Sequence, residues 1–291
     1  MATRAGSKLR GPARTARDLA RSLGSGRREF AIAMGAYGLY SLVKSVFGGT
    51  LKEGKANAQA VAALERRLGI FREAEAQRYF AKRPVVMQFW NAFYVVSQVV
   101  VLPSTLYLVY RHRRPAYPFV RNLAIISWCG GVVWYALQPV APPRHAGHAV
   151  DTVSTQTPLD LDAPFVRAFY NPVAAMPSLH VGMAPVVAWA LVALTRNPAT
   201  RAVGVAYPGL VATATVATGN HYILDIAGGL AVVLPSAWLA RRLTGPVPNA
   251  ASLCLRGGRR PSRGTLAAIV ASTIVLPAWR AALRALRTPR V

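Results

Sequence analysis

The sequence predicts an all-α fold, a polytopic membrane helix bundle with six core transmembrane helices plus one interfacial amphipathic helix. Three observations predict it. Apolar residues make up 53% of the 291-residue chain and charged residues only 15%, against about a quarter charged in an average soluble domain. The apolar residues come in long runs, which excludes global disorder. The basic excess, 35 Lys plus Arg against 10 Asp plus Glu for a net charge of +25, is concentrated between those runs. It does not interleave with aromatic residues on a common face, so it fits loops held against an anionic membrane and no nucleic-acid partner is expected.

Residues 1–28 are basic, with Arg4, Lys8, Arg10, Arg14, Arg17, Arg21, Arg27 and Arg28 opposed by Asp18 alone. They read as a disordered cytoplasmic tail. Arg27-Arg28 before Phe30 faintly resembles a twin-arginine export signal, but no small-residue cleavage site follows. Residues 29–242 then carry six apolar segments, Phe30–Phe47, Val85–Tyr110, Phe119–Val140, Leu179–Leu194, Ala202–Ala217 and Tyr222–Leu239. A straight span needs roughly 20 residues, so the last three are short and suit helices shielded by protein.

Between the first two spans, Asn57–Phe80 reads as an amphipathic helix with Val61, Leu64, Leu68 and Phe71 on one stripe, lying flat at the outer interface. Pro142–Pro177 is a long outer loop and Thr218–Asn220 a tight one. Residues 243–291 form a basic C-terminal region with one short apolar stretch, Leu266–Ala278, of open placement. Cys129 and Cys254 sit in unlike surroundings and suggest neither a disulfide nor a thiolate metal site.

Lys and Arg in the short loops set the orientation. Arg111, Arg113, Arg114 and Arg121 lie between spans two and three, Arg196 and Arg201 between four and five, and Arg241 and Arg242 after six. With the N-terminus inside, every one of these loops is cytoplasmic. The expected location is the cell membrane, multi-pass.

On that topology His145, His148, His180 and His221 fall on the outer side, while His112 is cytoplasmic. Asp225 is the one acidic residue after Asp162, and it lies about a turn inside the sixth span, where an ionisable group implies a function and a partner. His221 stands four residues before it, on the same helix face. The carboxylate can hold the proton on one imidazole nitrogen and leave the other as nucleophile or base. A buried His–Asp pair that only ties helices together is the alternative.

Pro177-Ser178-Leu179-His180 opens the fourth span with helix-start residues. Free N–H groups and the dipole of such an end attract phosphate, and His180 can protonate a departing oxygen. A cap followed by an interfacial histidine is the plainer reading. Pro142-Pro143 directs Arg144 at the same surface, where a guanidinium can bind phosphate oxygens in pairs; a snorkelling arginine is the alternative.

Together these motifs resemble the type 2 phosphatidic acid phosphatase (PAP2) superfamily, over roughly Phe30–Leu239. Its second motif is Pro-Ser-Gly-His, with Leu179 standing here at the Gly position, and its third ends in a His followed four residues later by Asp. Pro-Ser-Leu-His, His-Tyr with the downstream Asp, and Ala141-Pro142-Pro143-Arg144 look more like the inositolphosphotransferase branch that contains the inositol phosphorylceramide synthases. Two family features are missing: Tyr107 holds the Lys position before Arg114-Pro115, and Ala214-Thr215 replace a Ser-Arg.

The resemblance implies a lipid phosphatase or phosphotransferase, acting on a membrane lipid phosphate at the extracytoplasmic face through a phosphohistidine. His221 would be the nucleophile, Asp225 its orienting partner and His180 the acid. Arg144, Ser178, Asn220 and Thr218 would bind the phosphate. Water or a polyol would accept the phosphoryl group, and no metal or other cofactor is implied.

Two rival readings remain at this point. A metal-dependent hydrolase could use His145, His148 and Asp151. A lipid or proton transporter could use His221 and Asp225 as a relay, although no internal repeat is evident. Gly228-Gly229 is expected to allow close helix packing in the sixth span, and Trp128, Trp134 and Tyr135 to pack or mark the interface.

Overall fold

A computed structural model describes residues 12–169 and 171–246, and among these the only β-type pairing is an isolated parallel bridge between Val140 and Ala174. The apolar stretch Leu266–Ala278 lies outside the described residues. The chain divides into two units near Val46. The first carries α1 (Pro12–Phe47), which begins inside the basic stretch expected to be a tail; its Ala, Arg and Leu are good helix formers.

The second unit begins with α2 (Leu51–Arg67), α3 (Glu73–Ala81) and α4 (Pro84–Val96). A π-helical turn, Ser97–Val101, joins α4 to α5 (Leu102–His112). It sits just ahead of Pro103, whose ring and missing N–H do not fit a regular ladder. A 3₁₀ turn, Arg114–Ala116, leads into α6 (Tyr117–Leu137). The segment between α6 and α10 holds three short helices, α7 (Pro143–Ala146), α8 (Thr152–Gln156) and α9 (Pro164–Phe169). The chain then runs through α10 (Leu179–Ala193), α11 (Pro198–Ala217) and α12 (Ile223–Thr244).

Among the described residues, four helical stretches are long and apolar enough to cross a membrane: Gly26–Phe47, Pro84–His112, Arg114–Leu137 and Ile223–Thr244. The expected fourth and fifth spans correspond to α10 and α11. With 15 residues, α10 is about 23 Å long, short of a hydrocarbon core of about 30 Å. α11 has the length, but Arg201, Tyr207, Thr213 and Thr215 dilute its apolar character.

α10 is the central helix, packed along α11 and α12 and also against α5 and α6. One apolar cluster joins α4, α10 and α11 through Trp90, Tyr94, Val181, Val187, Tyr207 and Val211. A second joins α6, α10 and α12 through Val120, Leu123, Met183, Val186 and Val233. Among apolar lipid tails such contacts hold by close packing at small residues rather than by expulsion of water.

The tightest approach is between Gly182 on α10 and Gly229 on α12. A Cβ on Gly229 would collide with the carbonyl oxygen of Ser178, and one on Gly182 would lie 3.1 Å from the carbonyl oxygen of Gly229. The crossing brings the N-termini of both helices to one corner of the bundle.

The amphipathic segment differs from expectation. It is two helices, broken where Gly69 takes a positive φ of 71°, and α2 starts three turns earlier than Val61 on a capping box between Thr50 and Glu53. Its buried face is Gly54, Ala58, Val61, Ala62 and Glu65, whereas Leu64 and Leu68 are exposed. Small residues win that face because α2 must lie close on the chain beneath it: Gly54 has the Val173 side chain and the Ala141 backbone directly against it. Ala58, Val61 and Ala62 pack with Val140, Ala141, Ala175 and Tyr222.

Candidate active site

The corner formed by α10 and α12 is built first by backbone. Ser178 donates its N–H to the carbonyl of Asp225 at 3.0 Å, tying one helix start to the other. Its hydroxyl caps α10 by accepting the Val181 N–H at 3.4 Å. Tyr135 on α6 donates its hydroxyl to the carbonyl of Pro177 at 2.7 Å. The end of α10 is thus fixed on three sides.

The segment before α12 is equally constrained. Gly219 takes a positive φ of 69°, and a side chain there would meet Ala149 and Gln77. Asn220 and His221 both donate their N–H groups to the carbonyl of Thr215 at 3.1 Å. The chain therefore turns sharply off α11 and delivers His221 inward, just before α12.

His221 is almost fully buried, and its Nδ1 lies 2.8 Å from the carbonyl of Ala175 and 3.2 Å from Oδ2 of Asp225. Both neighbours accept, so Nδ1 is the donating nitrogen and Nε2 faces away from them. The same Oδ2 of Asp225 accepts the N–H of Tyr222 at 2.8 Å. Asp225 is wholly inaccessible, and its Oδ1 has no hydrogen-bond donor.

The His180 ring lies 5.6 Å from the His221 ring, centroid to centroid, at an interplanar angle of 59°. Tyr94 of α4 stacks on His180 with centroids 4.3 Å apart and planes 15° apart. Four residues predicted from sequence, Ser178, His180, His221 and Asp225, are therefore brought together.

Arg144, Asn220 and Thr218 form a second layer. The Arg144 N–H binds the Gly219 carbonyl at 3.0 Å, and Nε donates to Oδ1 of Asn220 at 3.0 Å. Asn220 in turn donates to the Thr218 hydroxyl at 2.9 Å, while that hydroxyl donates to the Ala214 carbonyl at 2.8 Å. The Arg144 side chain is buried, and its Nη1 meets Asp151 at 2.7 Å, Asp162 at 3.2 Å and His145 at 2.8 Å. Asp162 also takes Arg167 at 3.3 Å and His145 at 3.0 Å. Partial burial alone would raise the Asp162 pKa, but the hydrogen bond from His145 and the charge of Arg144 outweigh it and hold the carboxyl below its ordinary range.

The residues considered for a metal diverge. His145 and Asp151 turn to Arg144 and Asp162, whereas His148 lies 2.9 Å from the Tyr222 hydroxyl and 3.1 Å from Oε1 of Gln59. Burial, aided by Arg66, pushes the His148 pKa down against the pull of Glu73. Among the described residues no group of three His, Cys, Asp or Glu could hold a metal ion. Arg114 stacks on Tyr110 just before α6 begins at Tyr117, the helix end about 27 Å from Tyr135 and so remote from the two histidines.

Three residues at this corner escaped the sequence reading: Tyr94, Glu65 and Glu73. Glu65 and Glu73 are wholly inaccessible, and each accepts a backbone N–H of α12. Glu65 had a signal, since it continues the small-residue stripe of α2 at helical spacing from Gly54, Ala58 and Val61.

A family model for the PAP2 superfamily matches residues 59–239, from α2 through most of α12. No curated protein and no solved structure matches the chain.

Proposed function

Because the chain belongs to the PAP2 superfamily, we propose that it is an integral membrane lipid phosphatase or phosphotransferase, with His221 as the nucleophile. The observation that carries this is the pair of acceptors at Nδ1 of His221. Ala175 and Asp225 both accept at Nδ1, so Nε2 is the basic nitrogen, and a second imidazole stands 5.6 Å away.

In the first step Nε2 of His221 attacks phosphorus and an N–P bond forms. The P–O bond to the lipid alcohol breaks, and the departing oxygen takes a proton from His180. Bound phosphate, being anionic, favours the imidazolium that His180 needs for this. Asp225 balances the charge that develops on His221.

In the second step His180 accepts a proton from water or from an alcohol, whose oxygen attacks phosphorus and releases His221. Water gives a phosphatase; an alcohol such as inositol gives head-group transfer. The N–H groups at the start of α10, with Ser178, stabilise the equatorial oxygens, where phosphoryl transfer needs its charge compensation. Arg144 holds Asn220 beside His221.

The basic loops support the reading that this corner faces the extracytoplasmic side of the cell membrane. On this reading α10 and α11, too short or too polar to span alone, cross the membrane packed against α4, α5, α6 and α12. The test is phosphate release from phosphatidic acid in detergent micelles by the purified chain and by His221→Ala. Loss of release in the variant supports the reading; full turnover removes His221 from it. Labelled phosphatidylinositol, with and without an added alcohol, separates hydrolysis from transfer.

A further inference from the structure

The start of α12 has three backbone donors, and each finds a carboxylate from a different segment. The Tyr222 N–H goes to Asp225 at 2.8 Å, the Ile223 N–H to Glu73 of α3 at 3.1 Å, and the Leu224 N–H to Glu65 of α2 at 2.7 Å. A helix start welcomes negative charge, but three carboxylates is more than one such end can offset. Glu65 and Glu73 are inaccessible, and the second oxygen of each has no other donor. Two adjacent buried carboxyl groups do not both ionise at low cost, and a proton between them would satisfy both oxygens at once.

We infer that Glu65 and Glu73 are positioning residues for the phosphoryl-transfer site, sharing one proton and clamping the first turn of α12 so that Asp225 meets His221. The inference rests on the function proposed above. Its consequence is mechanical. Asp225 Oδ2 lies within hydrogen-bond reach of His221 only while the first turn keeps its rotation and height, and α2 and α3 set both through consecutive N–H groups. The clamp also fills the anion-attracting end of α12 with protein carboxylates, which leaves the start of α10 as the helix end open to phosphate.

The pair is also a pH-sensitive element. Burial, the neighbouring Glu73 carboxyl and the Asp225 charge push Glu65 up to about 8, against the pull of the Leu224 N–H. The charged and titratable groups around it are Glu73 on α3, Asp225 and Tyr222 at the start of α12, Arg66 next along α2, and His148 in the outer loop. A raised carboxyl pKa contributes stability that is fully present below its ordinary value of 4.5 and is lost as pH rises through about 8. Above that pH two like charges face each other and the clamp loosens.

The experiment is a pH series on the full-length protein in detergent, following phosphate release from phosphatidic acid and, separately, the thermal midpoint. Glu65→Ala and Glu73→Ala should lower kcat roughly 10- to 100-fold with KM changed less than about twofold, as expected for a misplaced catalytic pair. Glu65→Gln keeps an acceptor for Leu224 and gives Glu73 the donor that the shared proton supplies. It should restore kcat to within about threefold of the parent and flatten both the alkaline fall in kcat and the fall of the thermal midpoint between pH 4.5 and about 8.

An unchanged alkaline fall in Glu65→Gln overturns the inference. So does failure of Glu65→Gln to fold, because the amide mimics the protonated carboxyl. His221→Ala in the same series separates the two claims. If it is inactive while Glu65→Gln titrates like the parent, only the clamp is wrong; if it turns over normally, the function reading is wrong while the thermal series still reports on the clamp.

Discussion

Tyr94 and His180 lie face to face, their ring centroids 4.3 Å apart and their planes within 15° of parallel. Tyr94 comes from α4 and His180 from the first turn of α10, so the stack links two helices that are distant in sequence. It fixes the plane of the imidazole that the proposed mechanism sends to the leaving oxygen, while Nδ1 hydrogen bonds fix the plane of its partner His221.

An aromatic pair contributes about 0.5–1.5 kcal/mol beyond its buried area. Tyr94→Phe keeps the stack and should keep activity within roughly twofold, whereas Tyr94→Ala should lower kcat by roughly 2- to 12-fold on that basis. Steady-state kinetics on phosphatidic acid decide it. Equal activity in Tyr94→Ala and the parent would show that the stack does not orient His180.

Gly229 is a packing position one turn beyond Asp225. Its missing Cβ lets α12 touch the Ser178 carbonyl, so Gly229→Ala must separate the two helix starts. Overpacking of this kind costs about 1–3 kcal/mol, and the thermal midpoint should fall together with kcat. Gly228→Ala meets the Pro177 side chain at 3.2 Å and should be milder. The reverse order would contradict the crossing described here.

Arg144 uses the fork geometry of its guanidinium: Nε reaches Asn220 while Nη1 reaches Asp151, Asp162 and His145. A lysine supplies charge but only one nitrogen. Arg144→Lys should therefore lose about 1–3 kcal/mol of stability through unpaired acceptors, with activity falling as the Asn220–His221 turn loosens. Limited proteolysis within 142–177 measures this directly; an unchanged cleavage rate would count against it.

The same cluster sets an acid limit. Asp162 has its carboxyl pKa held below the ordinary 3.8 by His145 and Arg144. A lowered carboxyl pKa gives stability that is present above 3.8 and lost as pH falls below it. Asp162→Asn should flatten that part of the thermal-midpoint profile and leave the region above pH 5 nearly unchanged. The effect is small, because the carboxyl is a third exposed and screened by water.

Much of the candidate site's layout was legible in the sequence because its parts are rare residues at telling spacings. Asp225 stood alone in an apolar run with His221 four residues before it, and Pro177-Ser178 announced the helix that begins with His180. Gly229 was legible for the same reason. The span count was less so: α10 and α11 lean on neighbouring helices for burial, and neither length nor apolar content alone reveals that.

Glu65 and Glu73 were hidden by a sound rule applied to the wrong face. Charges on an amphipathic helix usually point to water, and Leu64 and Leu68 offered a convincing apolar stripe. Here the inner face is chosen by closeness to Val173 and Ala141, which selects Gly54, Ala58 and Ala62 and carries Glu65 inward with them. Tyr94 was hidden because an aromatic residue in a span is ordinary, and only the tertiary fold puts it over His180.

The most direct measurement is rapid-quench mass spectrometry of the purified chain mixed with phosphatidic acid, at a pH high enough to preserve phosphorus–nitrogen bonds. A phosphoryl group on the His221 peptide that forms and decays within a turnover, and is absent from His221→Ala, is the predicted result. Turnover at the parental rate in His221→Ala, or labelling on His180 instead, would contradict the account.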